Sequence, residues 1–237
     1  DNVSPRALAR LSDEALAALA CILAAAEALG AWGQAVSLVL IVLLPKPDGG
    51  LRPIGLFPTI IRLWMRVRTV HARAWEAAHA LPQLFGGAGM GAQRAAWTVA
   101  FRAEAAALSA QEHAVALLDL VKAFERIPHW YLLQQATKYG FSIVLLRLSI
   151  AAYKLERAVG VNGVYSRLLL ATRGITAGSV FATIEMRVVV IEALDKVVAS
   201  CIYVRLTCYV DDVALEVAGS NDHVEHQLAK ATLSFTD

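Results

Sequence analysis

Two adjacent carboxylates interrupt an otherwise apolar, β-prone run, Thr207-Cys208-Tyr209-Val210-Asp211-Asp212-Val213-Ala214-Leu215. From Ile202 to Val210 the chain alternates. Ile202, Val204, Leu206, Cys208 and Val210 share one face, and Tyr203, Arg205, Thr207 and Tyr209 the other, which puts Asp211 on the more polar side. Val213, Leu215 and Val217 resume the alternation, so the stretch predicts a tight β-hairpin with the Asp pair at or beside its turn. Neighbouring like charges repel unless a cation lies beside them, and a divalent ion that takes hard oxygen ligands suits that place. An ordinary turn, where Asp is common, also accounts for the pair taken alone. The rest of the chain decides between the two.

With 237 residues the chain can bury a large core as one domain or two lobes. A net charge of +2 does not mark a nucleic-acid binder, but its distribution is uneven. Between Lys46 and Arg102 there are eight Lys or Arg against two acids, Asp48 and Glu76. Cys21, Cys201 and Cys208 are odd in number and lack metal-ligand spacing, which argues against a disulfide framework or a zinc site and fits a reduced, intracellular setting. The uncharged stretch Ala28 to Pro45 is broken by Gly30, Gly33, Gln34 and Ser37, so it reads as a helix followed by a buried strand rather than a membrane span. The chain starts without Met and has no secretory layout, so we expect a piece of a longer, non-secreted protein.

In chain order, Ser12 caps a helix predicted to run to Leu29 and stop at Gly30. Val36 to Leu44 reads as a buried strand, Pro47 to Gly50 as a turn, and Leu51 to Ile54 as extended chain. A helix from Thr59 to Ala80 carries Arg62, Arg66 and Arg73 along one side with Arg68 offset; as a solvated face or as phosphate contacts, they stay open here. The glycine-rich Leu84 to Ala92 formally fits a dinucleotide fingerprint through Gly87, Gly89 and Ala92, but no convincing strand precedes it, so nicotinamide and flavin binding are set aside. Helices follow at 93–108, from Pro128 to Lys138, at 143–156 and at 180–198, and a last one follows Asp222. Val115 to Leu120 is a short buried strand with Asp119 at its end, and Asn162-Gly163 marks a second hairpin. His223 and His226 beside Asp222 and Glu225 read as a solvated helix start rather than a metal cluster, His129 as structural, and Trp64, Trp75, Trp97 and Trp130 as core or interface.

If two antiparallel central strands bring Asp119 to Asp211 and Asp212, they form a divalent-metal site on the open face of a sheet backed by helices. Such a site suits two-metal phosphoryl transfer, with Lys46, Arg52 and the helix arginines neutralising phosphates.

These stretches carry a family resemblance. Leu43 to Ile54 (Leu-Leu-Pro-Lys-Pro-Asp-Gly-Gly-Leu-Arg-Pro-Ile) resembles the fingers motif of reverse transcriptases, most similar to those of non-LTR retrotransposons and group II introns. Asp119 to His129 resembles their first palm motif, Arg173 to Thr183 their glycine-turn motif, and Tyr209-Val210-Asp211-Asp212 their second metal motif, all in the family's order. The resemblance implies an α+β, right-hand fingers–palm fold with an antiparallel palm sheet backed by helices and the thumb absent. Residues 1–114 would be an N-terminal helix and fingers region, and 115–237 the palm, with elements of the two interleaved.

It further implies an RNA-directed DNA polymerase that extends a DNA primer on an RNA template with dNTPs, using Mg²⁺ or Mn²⁺, nuclear if eukaryotic and not tied to a membrane. Asp119, Asp211 and Asp212 would be the catalytic metal ligands, the first two the principal ones. Lys46 and Arg52 would hold the triphosphate, Phe124 would exclude a 2′-hydroxyl, and Gly174 and Gly178 would let backbone approach the template and the new base pair. The chain departs from the family at Ala177, where Gln is usual, at Ala182-Thr183 in place of Ser-Pro, and at Glu125 in place of a frequent Asp. Two rival readings follow: a silent relic that only binds nucleic acid, and a metal-dependent nuclease or other phosphotransferase.

Overall fold

In the computed structural model, residues 3–47 and 49–236 are described; Asp48, counted above in a turn, lies outside them. The elements run α1 (Pro5–Leu8), α2 (Asp13–Leu29), β1 (Leu38–Pro45), β2 (Leu51–Leu56), α3 (Thr59–Ala78), α4 (Ala92–Leu108), β3 (Glu112–Asp119), α5 (Ala123–Arg126), α6 (His129–Lys138), α7 (Ile143–Tyr153), β4 (Glu156–Val161), β5 (Val164–Tyr165), α8 (Ala182–Ser200), β6 (Arg205–Tyr209), β7 (Asp212–Gly219) and α9 (Asn221–Thr236). This is an α+β fold. The chain divides into two compact units, Asp1–Trp75 with Phe124–Glu185, and Glu76–Ala123 with Met186–Asp237. Each is assembled from two stretches, with joins at 75/76, 123/124 and 185/186.

The first unit holds a mixed sheet in the order β2-β1-β4-β5. β1 and β2 form an antiparallel hairpin in which Leu44 faces Arg52, and β1 runs parallel to β4. The β4–β5 turn is Asn162-Gly163, both at positive φ (49° and 80°), the arrangement a two-residue type I′ turn requires. Ser12 caps α2 through Ala15 N–H, and Gly30 ends it in the left-handed conformation. No residue of α2 is fully buried, although its sequence is apolar on most faces. The helix is held instead by Glu27, whose carboxylate receives both Nε and Nη2 of Arg68 and the indole N–H of Trp64. The Arg68 guanidinium holds the Glu27 carboxyl below the usual carboxylate range, while burial opposes the shift. Arg68 is thereby tied to Glu27 within the fold. Trp64 lies at the centre of this core, edge-on to Trp32 (5.5 Å) and Phe181 (5.6 Å).

The second unit is built on an antiparallel sheet in the order β3-β7-β6. Alternation divides it cleanly. Leu206 and Cys208 of β6, Val213, Leu215 and Val217 of β7, and Ala114 and Ala116 of β3 share the face on which α9 packs. The opposite face carries α4, so helices lie on both sides, where the sequence predicted one open face. α4 is pinned by Arg102, whose Nη1 meets the buried Glu216 carboxylate at 2.6 Å and Thr207 Oγ1 at 3.0 Å. Of the four tryptophans expected in core or interface, Trp64 and Trp75 are core, and Trp97 and Trp130 are 75% and 68% exposed. Cys21, Cys201 and Cys208 are free thiols. Among the described residues no helix is long and apolar enough to cross a membrane.

Candidate functional site

Register in the antiparallel sheet decides where the acids stand. Asp119, the last residue of β3, is the direct cross-strand partner of Asp212, the first of β7, and Asp212 is in turn the partner of Tyr209. Directly opposed residues project to the same side of a sheet. Asp119, Asp212 and Tyr209 therefore share the face that also bears Leu117, Ala214 and Thr207. The Tyr209–Asp212 pairing leaves two residues for the turn, Val210 and Asp211. Val210 has φ +61°, the place that a type II′ turn ordinarily gives to glycine, so a β-branched residue is held there against its preference.

Both Asp119 and Asp212 are exposed, and Asp211 is half-buried. Among the described residues neither Asp119 nor Asp212 joins an ion pair. No group of three or more His, Cys, Asp or Glu among the described residues is gathered so as to hold a metal ion. Asp211 lies in the turn, outside the ladder that aligns the other two. Two opposed carboxylates without a neighbouring cation fit Mg²⁺ nonetheless, because that ion binds through one or two carboxylates and completes its shell with water and substrate phosphates. Like charges directly opposed across a ladder destabilise it, and a divalent ion between them relieves that. The acids also act on Cys208 on the other face. Burial pushes its thiol up to about 12, Arg187 opposes the shift, and Asp211 and Asp212 add to it, so Cys208 stays protonated and unreactive.

Beside the carboxylates a cleft of about 510 Å³ separates α4 from the sheet, walled by Ala92, Ala95, Ala96 and Ala100 on the helix and by Leu117 and Ala214 on the strands. Alanines leave this gap because they cannot reach the strands, and Leu117 stays 79% exposed in mid-strand as a result. The acid-bearing end of the sheet is thus open, although its other end is covered.

The remaining candidates belong to the first unit and are placed within it. Lys46 and Arg52 are both exposed, Lys46 beyond β1, where its N–H donates to Gly50 O, and Arg52 within β2. Phe124 is half-buried, and its carbonyl accepts from Ile175 N–H at 2.7 Å. Gly174 (φ +93°) donates to Ile127 O, and a Cβ on it would lie 2.8 Å from Glu125 O. Gly178 (φ +112°) lies against the carbonyl of Gly55, so a Cβ there would meet backbone. Both glycines are therefore demanded by the fold itself, a reason the motif alone does not reveal. Ala177, at the departure from the family pattern, accepts from Gly55 N–H at 2.6 Å through its carbonyl, a bond any side chain would permit.

Under the glycine turn lies a polar cluster that the sequence reading missed. Tyr153 OH donates to Glu185 Oε2 (2.6 Å), and its oxygen lies 2.8 Å from Ser179 Oγ. Burial raises the Glu185 carboxyl to about 7 and pushes the Tyr153 phenol well above its usual range. His129 Nε2 donates to Gly174 O at 2.9 Å, and burial lowers its pKa. That is the local structural role expected for His129. At the other end of the chain His223 packs edge-on against Tyr203 at 4.9 Å.

Residues 44–233 match the family described as reverse transcriptase (RNA-dependent DNA polymerase). No curated protein matches the sequence. Among solved structures, apo telomerase from Candida tropicalis truncated from its C-terminal domain is similar at a TM-score of 0.57 and 13% identity, over 84% of this chain and 47% of that one. Telomerase from Candida albicans in complex with the TWJ fragment of telomeric RNA is similar at 0.51 and 12%, over 86% and 41%. At such identity the likeness is one of fold. The chain spans less than half the length of either.

Proposed function

The chain belongs to the reverse transcriptase (RNA-dependent DNA polymerase) family, and we propose that it is the fingers-and-palm part of a retroelement polymerase that adds deoxynucleotides to a primer 3′-hydroxyl on an RNA template. Its motifs are most similar to those of non-LTR retrotransposons and group II introns. In this reading the unit with the antiparallel sheet is the palm, the unit with the mixed sheet belongs to the fingers, and the protein works inside the cell, in the nucleus of a eukaryote.

The observation that carries the reading is the direct opposition of Asp119 and Asp212 at the open end of the cleft, with Asp211 in the adjoining turn. Asp119, Asp211 and Asp212 would hold Mg²⁺, or Mn²⁺ in its place. Bound there, the metal would favour ionisation of the attacking hydroxyl and offset charge on the leaving pyrophosphate. Lys46 and Arg52 would neutralise the triphosphate as it is oriented. The Phe124 ring would crowd a 2′-hydroxyl, and the backbone at Gly174 and Gly178 would lie along the template. Ala177 withholds a side-chain contact near the template, which motivates the rival reading of a silent nucleic-acid-binding relic.

Primer extension on poly(rA)/oligo(dT) with dTTP and Mg²⁺ or Mn²⁺, using the full-length polypeptide, tests this. Incorporation that falls by about 10³-fold or more in Asp211→Ala is expected, because an essential metal ligand is lost. No incorporation would favour the relic, and cleavage without nucleotides the nuclease.

A further inference from the structure

A residue placed against its backbone preference keeps that conformation only when its surroundings over-determine it. Val210 is such a residue, at φ +61° in the turn that carries Asp211. The sheet supplies only part of the restraint, because β6 is an edge strand and β7 is its one sheet partner.

The missing restraint comes from the glycine-rich stretch. Leu84 pairs with Cys208 as an isolated parallel bridge on the free edge of β6. Cys208 N–H donates to Gln83 O and Phe85 N–H donates to Cys208 O, both at 2.8 Å. Leu84 and Phe85 are buried, so this short strap is anchored by side chains as well as by backbone. The two glycines after it then pass against the turn and its support. A Cβ on Gly86 would lie 3.3 Å from Val210 Cγ2 and 3.4 Å from Val210 N. A Cβ on Gly87 would lie 2.8 Å from Nη2 of the buried Arg187, which is paired with Glu76 at 3.4 Å and donates to the Glu76 carbonyl at 3.2 Å.

We infer that the strap Gln83 to Gly87 is a clamp on the Val210–Asp211 turn and that Gly86 is a positioning residue for Asp211. Glycine at 86 lets the strap lie flat on Val210 and press its backbone into the left-handed region. Any side chain there pushes on Val210, and the push is delivered to the neighbouring carboxylate. The turn geometry stands on these contacts alone. Its consequence for catalysis rests on the polymerase reading above.

Gly86→Ala is the probing substitution, because distances of 3.3 to 3.4 Å require the neighbour to give by a few tenths of an ångström rather than the fold to break. Gly91→Ala, on the same loop with extended backbone and no heavy atom within 4 Å, is the control. Amide hydrogen exchange across residues 209–212 is expected to quicken by about tenfold or more in Gly86→Ala and to stay unchanged in Gly91→Ala. In primer extension Gly86→Ala should lose about tenfold in kcat with KM for dTTP within about twofold, and Val210→Gly in the same chain should restore kcat, since glycine needs no clamp to hold φ +61°. Unchanged exchange in Gly86→Ala overturns the clamp. Quickened exchange with unchanged kcat overturns its positioning role. If the wild type incorporates no nucleotide the polymerase reading falls, and the exchange arm still decides whether the strap clamps the turn.

Discussion

Along one face of the antiparallel sheet, two acids four residues apart on β7 receive opposite treatment. Glu216 is almost fully buried and held by Arg102 and Thr207. Asp212 stands at the open end opposite a second carboxylate, and among the described residues it has no ion pair. A carboxylate kept for architecture is given a cation and hydroxyls, because a buried uncompensated charge is costly. Asp212, which the proposed function assigns to the metal, has no such partner among the described residues and faces a second carboxylate. Glu185, in the other unit, shows a third solution, burial as the neutral acid with Tyr153 as donor. The fate of each acid divides those the fold compensates from those it leaves exposed, which sequence position does not.

The largest effect that would sharpen this contrast is at Arg102. Arg102→Ala leaves Glu216 buried with Thr207 Oγ1 at 3.4 Å and His113 Nε2 at 3.7 Å beside it, and breaking such a pair costs about 3–5 kcal/mol. The urea midpoint should fall accordingly at an unchanged slope. A loss below about 1 kcal/mol would place Glu216 among exposed pairs and erase the distinction.

A somewhat smaller effect is expected at Glu185. Its carboxyl is raised to about 7 in the folded chain, so between its unfolded value near 4.5 and about 7 the folded state binds the extra proton. Stability is therefore greatest below the unfolded value and is lost as pH rises through the folded one, by on the order of 3 kcal/mol. Glu185→Gln keeps an acceptor for Tyr153 OH and removes the titration. Its melting temperature should vary less between pH 5 and about 8 than that of the wild type, and equal slopes for the two would assign the dependence to another group.

What the sequence revealed follows from the same physics. The hairpins at Asn162-Gly163 and at the Asp pair, the helix stop at Gly30 and the Ser12 cap were legible because they depend on local backbone preferences. The approach of Asp119 to the Asp pair was legible because carboxylates are out of place in apolar strands. Register was not, since alternation of Ile202 to Val210 cannot say which residue of β3 stands opposite, and Asp212 rather than Asp211 proved the direct partner of Asp119. Nor was Arg68 readable as the partner of Glu27 or Gly86 as the neighbour of Val210. Those contacts are made by segments far apart in sequence, and nothing in either segment names the other. The exposure of Trp97 has the same cause, because a helix reveals its apolar positions but not which of them its neighbours cover.

The smallest effect probes the comparison most directly. If Asp212 is unrelieved, removing its charge should stabilise the metal-free protein, the reverse of what Arg102→Ala does two rungs along the same face. Directly opposed like charges cost about 0.2–1 kcal/mol across an antiparallel ladder, so Asp212→Asn should gain that much at low ionic strength. The gain should shrink with added salt, because both carboxylates are exposed and screened. Mg²⁺ should invert the order: it binds the folded wild type and raises its melting temperature by mass action, while the variant has lost a ligand and gains little. An Asp212→Asn chain that is less stable than the wild type without metal would mean that Asp212 is compensated within the fold, and the division between scaffold acids and site acids would fail at the residue on which it depends most.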